Sequence, residues 1–392
     1  MFLTRLPLRR YGVCIGSKFH YTTQTTPPSP SNLGFVFDID GVLLKGSTAI
    51  PNASETLTKL TSLKIPFILL TNGGGQLEKD RCEYISSKLQ LSTKLNERQL
   101  VQSHTPFKTL INDFKRVLIV GGPNDSSRQV GYDYGFEQVL RPIDLIKANG
   151  KIWPFHKYTK LEINEWSIPV HESKVDVTNP NPKMNEKIDA IFVFNDPRDM
   201  GSDLQIILDL LNSQDGLLGT SRIGIPNVDY NKPSIPIIFS NNDFLWSNEF
   251  QLPRFGQGAF KIQVESIYKH ITNCNLHSLS LGKPYKVSYD YAHHVLIDWR
   301  SQLVDGINNT CLPELNKTPL NSPFNKIYMV GDNPESDILG GNNYGWETIL
   351  VKTGVYKDGD FEINRKLSKP TVGVFDDVKD GVFKVLKDNN LI

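Results

Sequence analysis

Gly34-Phe35-Val36-Phe37-Asp38-Ile39-Asp40-Gly41-Val42 is an unbroken apolar run that stops on two carboxylates two residues apart, with a glycine after them. Such a run suits a strand buried on both faces of a parallel sheet, where no side chain meets water. Paired carboxylates at its end repel each other unless something binds them. Mg²⁺ is the natural answer: it is hard, prefers oxygen, and commonly uses few protein carboxylates plus substrate phosphate. One aspartate is then placed to attack phosphorus, and the other to act as acid and base. Gly41 lets the chain turn away sharply.

Working outward, other apolar runs also end on polar residues. Ile65–Leu70 stops at Thr71, Ile235–Phe239 at Ser240 and Asn241, and Ile327–Val330 at Gly331 and Asp332; Thr348–Val351 is one more such run. Helical spacing appears between them, over Ser54–Leu63, Gln76–Leu89, Phe260–Ile271 and Val287–Leu303. The alternation predicts an α/β fold, a doubly wound parallel sheet with its site at the carboxyl ends of the strands. The interval from Thr71 to Ile235 is too long for one crossover. It holds strand candidates Val117–Gly121 and Ala190–Phe194, and helix candidates Thr105–Phe114 and Leu204–Leu211. It reads as an inserted α/β domain. The expected division is a core of residues 33–101 plus 235–392 and an insert of residues 102–234, with residues 150–187 and 305–325 as exposed elaborations.

Three further segments carry chemistry. In Leu70-Thr71-Asn72, a strand-end hydroxyl can donate to a phosphoryl oxygen, and Gly73, Gly74 and Gly75 offer a hinge. In Leu281-Gly282-Lys283-Pro284, a lysine held between glycine and proline can neutralise phosphoryl and carboxylate charge. Gly331-Asp332-Asn333-Pro334-Glu335-Ser336-Asp337-Ile338 adds two carboxylates, Asp332 and Asp337, to complete and support a metal site. Each segment alone has a plainer explanation: a threonine capping a turn, a solvated lysine, an Asp-rich turn before a helix. The plain explanations do not account for all of them together. Gly121-Gly122 reads as a strand turning rather than an anion loop, and His293-His294 as surface.

The chain has 392 residues, 39% hydrophobic and 22% charged, with a net charge of +1. That balance gives no electrostatic reason to expect nucleic acid, and no apolar run is long enough to span a membrane. Cys14, Cys82, Cys274 and Cys311 are far apart and form no CxxC, which argues against a disulfide framework or structural zinc. Residues 1–37 hold Arg5, Arg9, Arg10 and Lys18 but no acidic residue, and eight Ser/Thr. This is the profile of an organellar presequence, expected over residues 1–32 including its proline-bearing linker.

The order DxDG, T-N, GKP, GDxxxxD resembles the haloacid dehalogenase superfamily of phosphohydrolases. Asp38–Leu63, with Gly41, Gly46 and Ile50-Pro51, resembles its class IIA members, which carry a C2-type α/β cap between the second and third motifs. Gln102–Phe107, Asn195–Asp199, Phe239–Trp246, Pro253–Phe260 and Gly331–Gly341 are similar to the mitochondrial branch named after cat eye syndrome critical region protein five. The resemblance implies a Mg²⁺-dependent phosphomonoester hydrolase working through an aspartyl-phosphate. Asp38 would be nucleophile and metal ligand, and Asp40 the acid/base with its backbone carbonyl on the metal. Thr71, Asn72 and Lys283 would hold the phosphoryl group, and Asp332 and Asp337 would complete the metal site. Asn195, Asp196 and Arg198 would meet the leaving group from the cap. The implied setting is the mitochondrial matrix, with a small metabolite or glycerophospholipid-related phosphate as substrate and a homodimer formed through the cap. Gly73-Gly74 stands where related phosphatases usually have Asn-Ser, which leaves the fastening of the cap hinge open. A dehalogenase would not need Asp40, and a phosphomutase usually has a different cap. A catalytically silent binding or assembly protein is the remaining alternative.

Overall fold

A computed structural model of the chain describes residues 30–155, 157–169, 187–246, 250, 252, 254–309 and 312–392. All but the last three residues of the expected presequence lie outside these, as do parts of the two expected elaborations.

Two parallel sheets organise the chain. The first contains β1 (Leu33–Phe37), β4 (Phe67–Leu70), β5 (Leu100–Val101), β13 (Lys326–Gly331), β14 (Glu347–Val351) and β15 (Gly373–Phe375), in the order β15-β14-β13-β1-β4-β5. Every residue of β1 is buried, as the unbroken apolar run requires. Val36 pairs with Met329 on one side and Ile68 on the other. Helices cover both faces. Leu57 and Leu60 of the helix Ala53–Ser62 and Val382 and Leu386 of the helix Val378–Asp388 join Phe35 and Phe37 in one layer. Tyr289, Ala292 and Leu296 of the helix Lys286–Asp305 pack with Val36 and Ile68 in the other. Fully burying a side chain such as Leu60 is worth about 2 kcal/mol, so these two layers hold the strand ends in register.

The second sheet contains β6 (Arg116–Val120), β7 (Gln138–Leu140), β8 (Ala190–Val193), β9 (Ile237–Phe239) and β12 (Leu279–Ser280), in the order β12-β9-β8-β6-β7. Helices Met200–Leu211 and Gln257–Thr272 pack on one face, and Phe107 with the helix Ser126–Tyr134 on the other. Two hairpins complete the strands: β2 (Leu44–Lys45) with β3 (Thr48–Ala49), and β10 (Leu245–Trp246) with β11 (Arg254–Phe255). Among the described residues no helix is long and apolar enough to cross a membrane.

The expected boundary at residue 235 does not follow these sheets. Ile235–Phe239 does contain a strand, but it pairs with β8, and the helix expected over Phe260–Ile271 packs on the second sheet. The second unit runs on to β12, and the chain re-enters the first at Leu281-Gly282-Lys283. A short buried strand looks the same whichever parallel sheet it joins, so its composition cannot assign it. Thr105–Phe114, expected as a helix, is a 3₁₀ segment over Thr105–Leu110. His293 is not at the surface: it is buried against Tyr344 and Trp346 and bonded to Ser322, and burial lowers its pKa to about 4.

Candidate active site

The first sheet reverses its winding at β1, with β13 on one side and β4 on the other. The crevice beyond their carboxyl ends is where an open α/β sheet binds its ligand. Asp38, Thr71 and Asp332 are the residues with which these three strands end or leave the sheet. A single π-helical turn, Pro334–Ile338, follows β13 and swings Asp337 back toward the same point. Its carboxylate accepts from the backbone N–H of Asn333 at 3.1 Å. Gly41 has φ +88°, and a Cβ there would fall within 2.3 Å of the Asp332 carboxylate. No larger residue fits that turn.

Lys283 arrives from β12. Its Nζ donates to Asp38 Oδ1 at 2.6 Å and to the Leu70 carbonyl at 2.9 Å, and lies 2.7 Å from Asp337 Oδ1. Asp38, Asp332 and Asp337 have ligand oxygens within 4.8 Å of one another, and all three are buried. Three carboxylates face one ammonium, which leaves two negative charges uncompensated if all are ionised. Burial drives the Asp38 carboxyl well above its ordinary range, with repulsion from Asp337 and Asp332 adding and Lys283 opposing. Burial and Asp337 likewise push Asp332 up to about 7. Burial works against the Lys283 charge, but Asp337 and Asp38 more than offset it and its pKa rises. A divalent cation with hard oxygen preference fits this donor set and its missing charge. Asp38, Asp332 and Asp337 are the residues that would hold it.

Asp40 is expected on the metal through its backbone carbonyl, and its side chain lies outside the carboxylate cluster, as that expectation allows. It is half-exposed beside the Gly73 turn, 3.9 Å from the guanidinium of Arg81. Strand alternation would put residues two apart on one face, but β1 ends at Phe37 and the chain turns at Gly41, so Asp40 leaves the face that Asp38 occupies. Arg81, on the helix Glu78–Lys88, was not anticipated, because an isolated arginine on a helix carries no signal in sequence.

Asn72 is expected on the phosphoryl group, but its amide is committed elsewhere. Its Oδ1 accepts from the Lys283 backbone N–H at 2.7 Å, and its Nδ2 donates to the Lys283 carbonyl and to Asp243 Oδ1, each at 3.0 Å. Asn72 therefore positions Lys283, while Asn241 Nδ2 donates to the Asn72 carbonyl at 3.2 Å. Thr71 is buried, and its Oγ1 accepts from Gly73 N–H at 3.0 Å, which aims the hydroxyl proton elsewhere.

The glycines at 73–75 have their own fastening. Gly75 N–H donates to His104 Nε2 at 2.9 Å, so Nδ1 carries the proton and donates to Tyr134 Oη at 2.7 Å. Tyr134 then donates to Glu78 Oε1 at 2.6 Å, and Thr105 donates to the same oxygen. Lys108 lies 3.1 Å from Glu78. A Cβ on Gly74 would come within 2.6 Å of the His104 ring, so Gly74 and His104 belong together. Burial lowers the His104 pKa to about 4, and it stays neutral. This chain joins the helix Glu78–Lys88 of the first unit to the helix Ser126–Tyr134 of the second. The sequence offered only the histidine of Gln102–Phe107 as a hint.

Asn195, Asp196 and Arg198 follow β8 at the carboxyl end of the second sheet. Asn195 is buried against the Gly75 turn, where a Cβ on that glycine would lie 3.4 Å from its amide. Arg198 donates to the Asp196 carbonyl at 2.6 Å and to Asn195 Oδ1 at 3.3 Å. Gly121-Gly122 is a turn, as expected: Gly122 N–H donates to the Asp196 carbonyl, and the Gly121 carbonyl accepts from Ser127.

Comparison with known proteins agrees with this geometry. A family profile described as "Haloacid dehalogenase-like hydrolase" matches residues 35–137, and one described as HAD-hydrolase-like matches residues 280–381. A mitochondrial hydrolase of Saccharomyces cerevisiae is 45% identical over 376 residues, covering 95% of this chain and 99% of the relative. A cardiolipin synthase (CMP-forming)/mitochondrial hydrolase fusion protein of Schizosaccharomyces pombe is 40% identical over 341 residues, covering 86% of this chain and 51% of the relative. The chain thus spans about half of that fusion protein. Among solved structures, a p-nitrophenyl phosphatase of Archaeoglobus fulgidus superposes with a TM-score of 0.53 at 18% identity, over 90% of this chain and 98% of the other. A hypothetical protein of Pyrococcus horikoshii gives 0.57 at 18%, over 90% and 99%. These two likenesses are of fold.

Proposed function

The chain belongs to the haloacid dehalogenase superfamily of hydrolases, and from that premise we propose that it hydrolyses a phosphomonoester through an aspartyl-phosphate on Asp38. The observation that carries this reading is the buried group of Asp38, Asp332, Asp337 and Lys283 at the carboxyl ends of β1 and β13. Asp38 attacks phosphorus, and its carboxylate becomes the acyl phosphate as the bond to the leaving oxygen breaks. Asp40 protonates that oxygen, a contribution of typically 10²–10⁴-fold. It then takes a proton from the water that hydrolyses the aspartyl-phosphate. Lys283 offsets the like charges that this attack brings together, and the Thr71 hydroxyl donates to the phosphoryl group. Burial raises the Asp40 carboxyl above its ordinary range, which suits its role as acid, and Arg81 facing it opposes that rise. When bound, Mg²⁺ would be held by Asp38, Asp332 and Asp337 and would supply charge neutralisation for the phosphoryl group.

The second sheet acts as a class IIA, C2-type cap in this reading. Asn195, Asp196 and Arg198 contact the leaving group, and Arg198 suits an acidic one. The cap contributes no acid, base or nucleophile. The Schizosaccharomyces relative joins its hydrolase to a cardiolipin synthase in one chain, which supports a glycerophospholipid-related phosphate as substrate. The names of both relatives support a mitochondrial setting. We place the protein in the matrix, brought there by residues 1–32. The homodimer through the cap belongs to the same reading, and the exposed Ile223, Ile267 and Ile271 of the second unit support it.

The test is orthophosphate release from a panel of phosphorylated metabolites, lipid precursors included, with Mg²⁺ or with EDTA. Release that needs Mg²⁺ and vanishes in Asp38→Asn is the expected result. A wild-type rate in Asp38→Asn on any genuine substrate removes Asp38 as nucleophile.

A further inference from the structure

The helix Glu78–Lys88 stands beside Asp40, and its first turn is tied to the second unit. Glu78 is buried and held by Thr105, Tyr134 and Lys108. Cys82 and Ile85 are buried in the layer of Phe35 and Phe37. These anchors fix the rotation of the helix. One turn after Glu78, Arg81 then reaches Asp40, with its Nη2 3.9 Å from Asp40 Oδ2. The two side chains are 22% and 56% exposed, so both are open to an entering molecule.

Asp40 leaves this guanidinium uncommitted. The distance is too long for a hydrogen bond, and an ion pair between partly exposed side chains adds little to stability. The other contact of Arg81 is the Tyr84 ring, whose centroid is 5.3 Å from the guanidinium carbon. Among the described residues its side chain makes no hydrogen bond, and its five N–H donors are open. The other cations near the site are engaged. Lys283 is held by Asp38 and Asp337, and Arg198 by the Asp196 carbonyl and Asn195 Oδ1.

There is also room beside Asp40. Gly73 is exposed. A Cβ on it would lie 3.8 Å from the same Oδ2 and 3.3 Å from Thr71 Oγ1, with no other atom outside its chain neighbours within 4 Å. Asp40 Oδ2 thus has a free guanidinium and unfilled space next to it. A leaving oxygen hydrogen-bonded to that Oδ2 lies no more than about 6.6 Å from Arg81 Nη2. An oxyanion two carbons along the leaving alcohol, itself hydrogen-bonded to the guanidinium, spans that interval.

We propose that Arg81 is a specificity residue: it binds an oxyanion carried by the leaving alcohol, so that the substrate class is a phosphomonoester of an acidic alcohol. This deepens the reading of Asp38 and Asp40 given above and rests on it. A guanidinium takes two oxygens of a carboxylate or phosphate in a fork. It also offsets the repulsion that an acidic substrate meets from Asp40 and the buried carboxylates. No bond is made or broken at Arg81.

The test uses a matched pair of ligands, 3-phosphoglycerate and glycerol 3-phosphate, which differ by a carboxylate in place of a hydroxymethyl group. Each is titrated calorimetrically into the full-length Asp38→Asn protein in Mg²⁺, so that the ester stays intact. 3-Phosphoglycerate should bind about tenfold more tightly, the effect of one hydrogen-bonded charge pair. Adding Arg81→Gln should bring the ratio of the two affinities to about one. Lys79→Gln makes the same charge change at an exposed position on the same helix and should keep the ratio. Because the readout is a ratio, a general loss of affinity in a variant does not move it. Equal affinity for the two ligands in Asp38→Asn overturns the proposal. So does a ratio that survives Arg81→Gln, a ratio that falls equally in Lys79→Gln, or absence of saturable binding at millimolar 3-phosphoglycerate. Orthophosphate released during the Asp38→Asn titrations counts against Asp38 as nucleophile and not against Arg81, so the two readings fail separately.

Discussion

Each of the two units buries an ionic cluster beside the switch point of its sheet, and the clusters are built differently. In the second unit the Arg128 guanidinium is saturated: Nε meets both oxygens of Asp125, Nη1 meets Asp144 and the Val139 carbonyl, and Nη2 meets Asp144 and the Trp166 carbonyl. Charge and hydrogen bonds are satisfied by the protein itself. In the first unit Lys283 faces Asp38 and Asp337, with Asp332 behind them. The protein leaves that cluster negatively charged and two of its carboxyls pushed upward in pKa. Burying charge is costly unless it is paired. A cluster completed internally holds structure together, whereas one left incomplete is, in the reading proposed above, the one that takes up a cation and a phosphoryl group. The imbalance, more than burial or the number of acids, separates the proposed active cluster from the scaffolding one.

The largest effect expected from this contrast is on turnover. Asp38→Asn should lower phosphomonoester hydrolysis by at least about 10³-fold, with the thermal midpoint unchanged or raised, since one like charge leaves the cluster. A parallel fall in rate and midpoint would mean that Asp38 is as structural as Asp144.

The next pair of variants sets the clusters against each other directly. Arg128→Met and Lys283→Met each leave buried carboxylates without their cation, a loss of about 3–5 kcal/mol. Mg²⁺ should recover part of the loss in Lys283→Met and none in Arg128→Met. Thermal melts in EDTA and in Mg²⁺ read this out, and equal recovery in both would dissolve the distinction.

The seam between the units should respond to acid. His104 has a pKa of about 4 in the folded protein against 6.5 when unfolded, so below pH 6.5 the unfolded chain binds more protons. Folded stability is then lost as pH falls from 6.5 to about 4, on the order of 3 kcal/mol in all. His104→Gln, which retains an acceptor for Gly75 N–H, should flatten that part of the pH profile. Chemical denaturation at pH 7 and pH 5 measures it.

Smallest are the cap substitutions. Asp196→Ala and Arg198→Ala, made separately, should shift KM or substrate ranking by a few-fold, about 1 kcal/mol, with kcat and Mg²⁺ dependence retained. Loss of Mg²⁺ dependence in either would move part of the catalytic cluster into the second unit.

The sequence carried β1, the order of the four motifs and the carboxylate set, because those features are local: an apolar run, a turn glycine, an aspartate at a fixed offset. It also singled out Lys283, on the strength of the glycine and proline around it, and the structure sets its Nζ against Asp38 and Asp337. It misjudged Asn72 because a side-chain amide after a strand reads the same whether it binds a ligand or holds a neighbouring backbone. It misassigned β9 and left His293 at the surface for a related reason: neither pairing partner nor depth of burial is written in a short segment.

By itself, the sequence determined the fold class and singled out Asp38 with its carboxylate company, since periodicity and spacing are properties of adjacent residues. Only the tertiary structure decided that the second unit extends to β12, and that His104 through Tyr134 and Glu78 ties it to the first. It also decided that Asn72 serves Lys283 across 211 positions and that Arg81 stands beside Asp40. Each of these depends on residues far apart in the chain. Their meeting is set by how two buried sheets stack their helices, and by the cost of leaving any buried polar group without a partner.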